Sequence, residues 1–82
     1  MSAVDRTAVR RMMEELLKRQ GKSLPSGDAA LLRDVGFRSL DFAELALRVE
    51  MQTGNALQFE TGVLRSIQTV GDVLDFMERV TA

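Results

Sequence analysis

Apolar residues recur at helical spacing in three long stretches of the chain and in one short one. Val9, Met12, Met13, Leu16 and Leu17 fall at i, i+3, i+4, i+7 and i+8, a single stripe on a helix that is otherwise charged. Asp5 stands where that helix needs an N-cap and Gly21 where it has to stop, so the pattern predicts a helix over about residues 5–20. Phe42, Leu45, Ala46 and Val49 repeat the spacing between Ser39 and Gly54, predicting a second helix over about 39–53. Phe59, Val63, Leu64 and Ile67 mark a short helical piece at about 61–66. Thr69 followed by Asp72 reads as a capping-box-like start to a last helix over about 69–80, with Val70, Val73, Leu74, Met77 and Val80 inward. The connection from Lys22 to Gly36 is long and holds the turn formers Ser23, Pro25, Ser26 and Gly27. Within it Asp28 is placed to open a helical turn through Ala29, Ala30, Leu31 and Leu32, whose leucines would pin the loop. The expected architecture is an all-α bundle of four helices, three longer and one short, with a long loop between the first two.

Composition narrows what such a bundle can do. Eighty-two residues with 45% hydrophobic content and one proline make one folded domain, 1–82, with a single core. Cysteine and histidine are both absent. Their loss removes the usual proton shuttle, thiol nucleophile and soft metal ligands, so we expect no catalytic residues, no metal and no enzyme activity in isolation. No apolar run reaches membrane-spanning length, and Met1 to Arg6 lacks the apolar core of a secretion signal; the expectation is a cytoplasmic protein, monomeric and without membrane contact. Net charge is −1, yet residues 1–23 hold six basic side chains against three acidic, and the balance reverses beyond them. Interleaved Glu14 and Glu15 make the basic stretch of the first helix a solvated face and argue against nucleic acid as partner.

One stretch carries chemistry: Asp34-Val35-Gly36-Phe37-Arg38-Ser39-Leu40-Asp41. It delivers a serine to the start of a helix, where backbone N–H groups lack partners and the dipole favours an anion. On spacing alone Ser39 is either a helix cap or an attachment point for a phosphate group. The string, continued by Glu44-Leu45 and Glu50, resembles the phosphopantetheine attachment site of the acyl carrier protein family, and the order of helices follows that family over nearly the whole chain. The resemblance implies an acyl-carrier-type bundle in which Ser39 bears 4′-phosphopantetheine, donated from coenzyme A by a separate phosphopantetheinyl transferase. The arm's thiol would hold acyl groups as thioesters. Arg38 stands where the family has an aspartate that helps hold the metal during cofactor transfer; a guanidinium there is suited instead to contact the attached phosphodiester.

The helix after the serine has a second, mixed face of Leu40, Asp41, Glu44, Leu47, Glu50 and Met51. By periodicity it is either a wide core stripe with solubilising charges or a docking surface. The resemblance implies docking on basic patches of acyl-transferring or acyl-activating enzymes, with charge steering the encounter. It also makes Val63, Leu64 and Ile67 candidate walls of an acyl-binding cleft. The function so implied is a stand-alone acyl carrier for fatty-acid, polyketide or related specialised biosynthesis. Two alternatives stay open: a peptidyl or aminoacyl carrier, and a helical adaptor that is never modified.

Overall fold

Residues 4–58 and 61–82 are described by the structure, a computed structural model. Phe59, one of the apolar positions assigned to the short third helix, lies outside the described residues, as do Met1, Ser2 and Ala3 of the leading segment. Helix α1 runs Arg6–Lys18, started by the Asp5 side chain, which accepts the Ala8 N–H at 2.7 Å. It ends two residues before the predicted limit. Gly21 at φ 76 lets the Lys22 N–H reach back to the Leu17 carbonyl and its own N–H to that of Lys18, which uses the last carbonyls of the helix. Helix α2 is a single turn, Leu32–Val35; α3 spans Ser39–Thr53; a 3-10 helix covers Thr61–Ser66; and α4 spans Val70–Thr81. Among the described residues there is no strand. No helix is long and apolar enough to cross a membrane, again among the described residues.

Helix α1 packs against both α3 and α4. The expected stripes of α1 and α3 are buried, as are Val70, Val73, Leu74 and Met77 of α4, while Val80, Val63, Leu64 and Ile67 are half-buried against them; two phenylalanines that periodicity had not placed inside, Phe37 and Phe76, join the core. The rings of Phe42 and Phe76 meet at 5.7 Å between centroids and 48° between planes, a tilted pairing that ties α3 to α4.

The long loop is where the sequence reading needs correcting. The helical turn forms at Leu32–Val35 and not at Ala29–Leu32, because Asp28 is used elsewhere. Its backbone carbonyl accepts the Gly71 N–H at 2.8 Å, and the Ala30 carbonyl accepts the Val70 N–H at 3.0 Å. The Leu32 N–H in turn reaches the Gln68 carbonyl at 2.9 Å. The loop therefore supplies acceptors for the first N–H groups of α4, which a helix cannot satisfy from within. Thr69 and Asp72 close the remainder as a reciprocal capping box, and the two N–H groups of Gln68 and Thr69 that point at Asp72 hold its carboxyl below the usual range. Gly71 leaves room for this approach: a Cβ there would lie 3.0 Å from the Asp28 Cβ and 3.2 Å from its carbonyl oxygen, tight enough to push the loop back.

The Asp28 carboxylate binds Arg10 and Arg6, each at 2.7 Å, and Arg6 also bonds Asp75 and Glu78 of α4. The basic face of α1 is thus partly consumed in clamping the loop and α4, where a fully solvated face was expected. Arg10 first and Arg6 second depress the Asp28 carboxyl. A depressed acid stabilises the fold above its ordinary value of 3.8 and loses that contribution as pH falls through the lower folded value. Asp28→Asn is accordingly expected to lower the thermal midpoint at neutral pH, with the gap to wild type closing as the solution is acidified below that value; a gap independent of pH would deny the ion cluster its role.

Candidate functional site

Chain direction into the site is set by Gly36, at φ 85, whose N–H caps α2 on the Leu32 carbonyl at 2.9 Å. The Lys22 side chain lies over it, Nζ donating to the Gly36 carbonyl at 2.9 Å and to the Gln20 side chain at 3.0 Å. The positive φ favours glycine at this position, since other side chains are strained there. Phe37 then anchors the chain in the core, and Arg38 follows in an extended conformation.

Arg38, and not Ser39, is the N-cap of α3. The closing contact comes from Asp41, whose Oδ2 accepts the Arg38 N–H at 2.9 Å while Oδ1 accepts the Gln20 Nε2 at 2.7 Å. Ser39, at the first helical position, is exposed, and its hydroxyl has no hydrogen-bond partner among the described residues. The expected alternative in which Ser39 serves merely as a cap is therefore corrected: that duty falls to its neighbours. The N–H groups of Ser39 and Leu40 likewise meet no acceptor among the described residues, in contrast to the start of α4, where loop carbonyls occupy the equivalent donors.

Beside Ser39 opens a cleft of about 320 Å³, walled by Leu32, Phe37, Phe42, Leu64 and Ile67, with Arg33, Arg38 and Ser39 completing its lining. Leu64 and Ile67 thus stand where the cleft expectation put them. Val63 does not line it and packs against the core. Leu32, Arg33 and Phe37 were missed, because they belong to the loop whose turn lay three residues further on than its sequence suggested. Phe42 was assigned to the core and in fact serves both.

The proposed docking face divides. Leu40, Leu47 and Met51 are 81%, 55% and 76% exposed, a long apolar stripe on the outside of α3. Its carboxylates are otherwise engaged. Asp41 is only 8% exposed and belongs to the helix start, which corrects its placement on the outer flank. Glu44 pairs with Arg19, and with Arg48 at 3.8 Å, while Arg48 reaches Glu15 of α1 at 3.0 Å. Glu50 accepts the Leu57 N–H at 2.8 Å and holds the chain after α3.

No protein-family model matches the chain, and no curated protein does. Among solved structures, an acyl carrier protein from Thermotoga maritima superimposes with a TM-score of 0.66 at 22% identity, over 92% of this chain and 88% of that one. The fold is that of an acyl carrier protein. In this acyl-carrier fold the open start of α3 and the cleft adjoin, so the exposed hydroxyl sits at the mouth of an apolar recess.

Asp41→Ala removes the acceptor of both Arg38 and Gln20. We expect a loss of about 1–2 kcal/mol in urea unfolding, the usual scale for a lost helix-start contact; an unchanged midpoint would return Asp41 to the surface role.

Proposed function

We propose that this protein is a carrier whose Ser39 is esterified with 4′-phosphopantetheine. The observation that carries the reading is a serine hydroxyl with no structural duty, exposed at the unclosed N-terminus of α3 and bordering an apolar cleft. The residues fit the group. The N–H groups of Ser39 and Leu40 and the positive end of α3 suit a phosphodiester. Arg38 is exposed, has no ion pair among the described residues, and is chemically matched to the same anion. In the attachment step the Ser39 Oγ would form the new P–O bond and the transferase's base would take the hydroxyl proton, with adenosine 3′,5′-bisphosphate leaving from coenzyme A. Once bound, the group supplies a thiol that carries acyl cargo as thioesters for fatty-acid, polyketide or related biosynthesis.

Everything else is positioning. Docking on acyl-transferring enzymes would rest on Leu40, Leu47 and Met51 more than on charge, since Asp41, Glu44 and Glu50 are bound within the chain. Contact of that size suits partners that bind briefly and release. Delivery from a tether raises the effective concentration of cargo at each partner without new contacts to the cargo itself.

Intact-mass measurement after incubation with coenzyme A and broad-specificity phosphopantetheinyl transferases tests the reading. A gain confined to wild type and absent from Ser39→Ala is expected; no gain with any transferase leaves an unmodified adaptor. Arg38→Ala is expected to loosen the attached arm, seen as narrower phosphorus resonance lines, while leaving the fold intact.

A further inference from the structure

Two guanidinium groups border the cleft, and only one of them adjoins Ser39 in the chain. The second, Arg33, comes from α2. It is exposed and makes no hydrogen bond or ion pair among the described residues, even with the adjacent Asp34. Arg6, Arg10, Arg19 and Arg48 behave differently, each being bound to a carboxylate of this chain. The rest of the cleft lining, Ser39 apart, is aliphatic or aromatic.

A hydrocarbon chain has no use for a cation, and with Arg38 given to the phosphodiester Arg33 is a charged group left over at the edge of an apolar recess, the arrangement that orients an amphiphile. The planar fork of Arg33 matches a carboxylate in bidentate geometry, and the apolar side chains beside it hold the tail that would bring such a group there. The cleft, about 320 Å³, falls at the small end of ligand sites, which limits the tail it can take. We propose that the cleft beside Ser39 favours a short acyl group ending in a carboxylate, with Arg33 as the specificity-determining residue that holds that end. The inference rests on the carrier reading above and names the cargo class within it.

The test compares the chain carrying unacylated, hexanoyl and adipyl phosphopantetheine, prepared from the corresponding coenzyme A derivatives, in wild type, Arg33→Ala and Arg33→Lys. The readouts are the rate of thioester cleavage by hydroxylamine, normalised to the free acyl-pantetheines, and the backbone amide shifts of Leu64 and Ile67. In wild type the adipyl thioester is expected to be cleaved about threefold more slowly than the hexanoyl one, the scale of an exposed charge pair. Arg33→Ala should erase that difference without altering hexanoyl protection, and Arg33→Lys should restore part of it. Equal protection of the two thioesters in wild type overturns the proposal. So does an Arg33→Ala effect of the same size on the unacylated arm, which would make the phosphodiester the anion that Arg33 binds. If Ser39 accepts no arm, the carrier reading fails by itself. Titrating free adipyl- and hexanoyl-pantetheine into the unmodified chain then decides the Arg33 inference separately: an adipyl preference lost in Arg33→Ala upholds it, and no preference ends it.

Discussion

The seam between the long loop and the start of α4 is the contact on which the rest depends. Helix α4 cannot satisfy its own first N–H groups, and the loop cannot satisfy its own carbonyls, so each completes the other at Val70–Ala30 and Gly71–Asp28. Once Asp28 is drawn to Gly71 and clamped by Arg6 and Arg10, the chain from Leu31 onward has little latitude. It makes one turn at Leu32–Val35, reverses at Gly36 and buries Phe37. Only after those steps does Ser39 arrive at its helix start.

The two helix starts show how the same backbone problem is solved in opposite ways. At α4 the donors are filled by loop carbonyls and by the Thr69–Asp72 pair, and the result is a fastening point. At α3 Asp41 looks after Arg38 alone, tied down by Gln20 from the end of α1, and the next donors stay open. A helix start that is held firmly yet left unfilled is a suitable place for an anion, and its serine is free of any capping duty.

Charge in this chain is spent largely on its own assembly. Arg6, Arg10, Arg19 and Arg48 join α1 to the loop, to α3 and to α4, and the carboxylates they bind are lost to outside partners. What α3 offers to the exterior is a row of apolar side chains, Leu40, Leu47 and Met51, with exposed cations at one end of it. The docking proposed for this surface would rely on shape and apolar contact more than on long-range attraction.

The helices and their inward faces were legible because they follow from local periodicity and from Asp5, Gly21, Gly54, Thr69 and Asp72 at their ends, features that act over four or five residues. The arrival of Ser39 at a helix start was legible by the same route, whereas its reading as an attachment point came from the resemblance of the string around it. Phe76 was within reach too, since it lies three residues beyond Val73 on the buried side. The position of the loop's turn, the cap at Arg38, the burial of Asp41 and the membership of Leu32 and Arg33 in the cleft were not. Each depends on a partner far along the chain: Gly71 for Asp28, Gln20 for Asp41, and Leu64 and Ile67 for the cleft wall. Sequence periodicity by itself determined the inward stripes of the three long helices and, to within a residue or two, their ends, because those are near-neighbour constraints; which polar groups remained open beside Ser39 was decided only when tertiary packing had allotted the others.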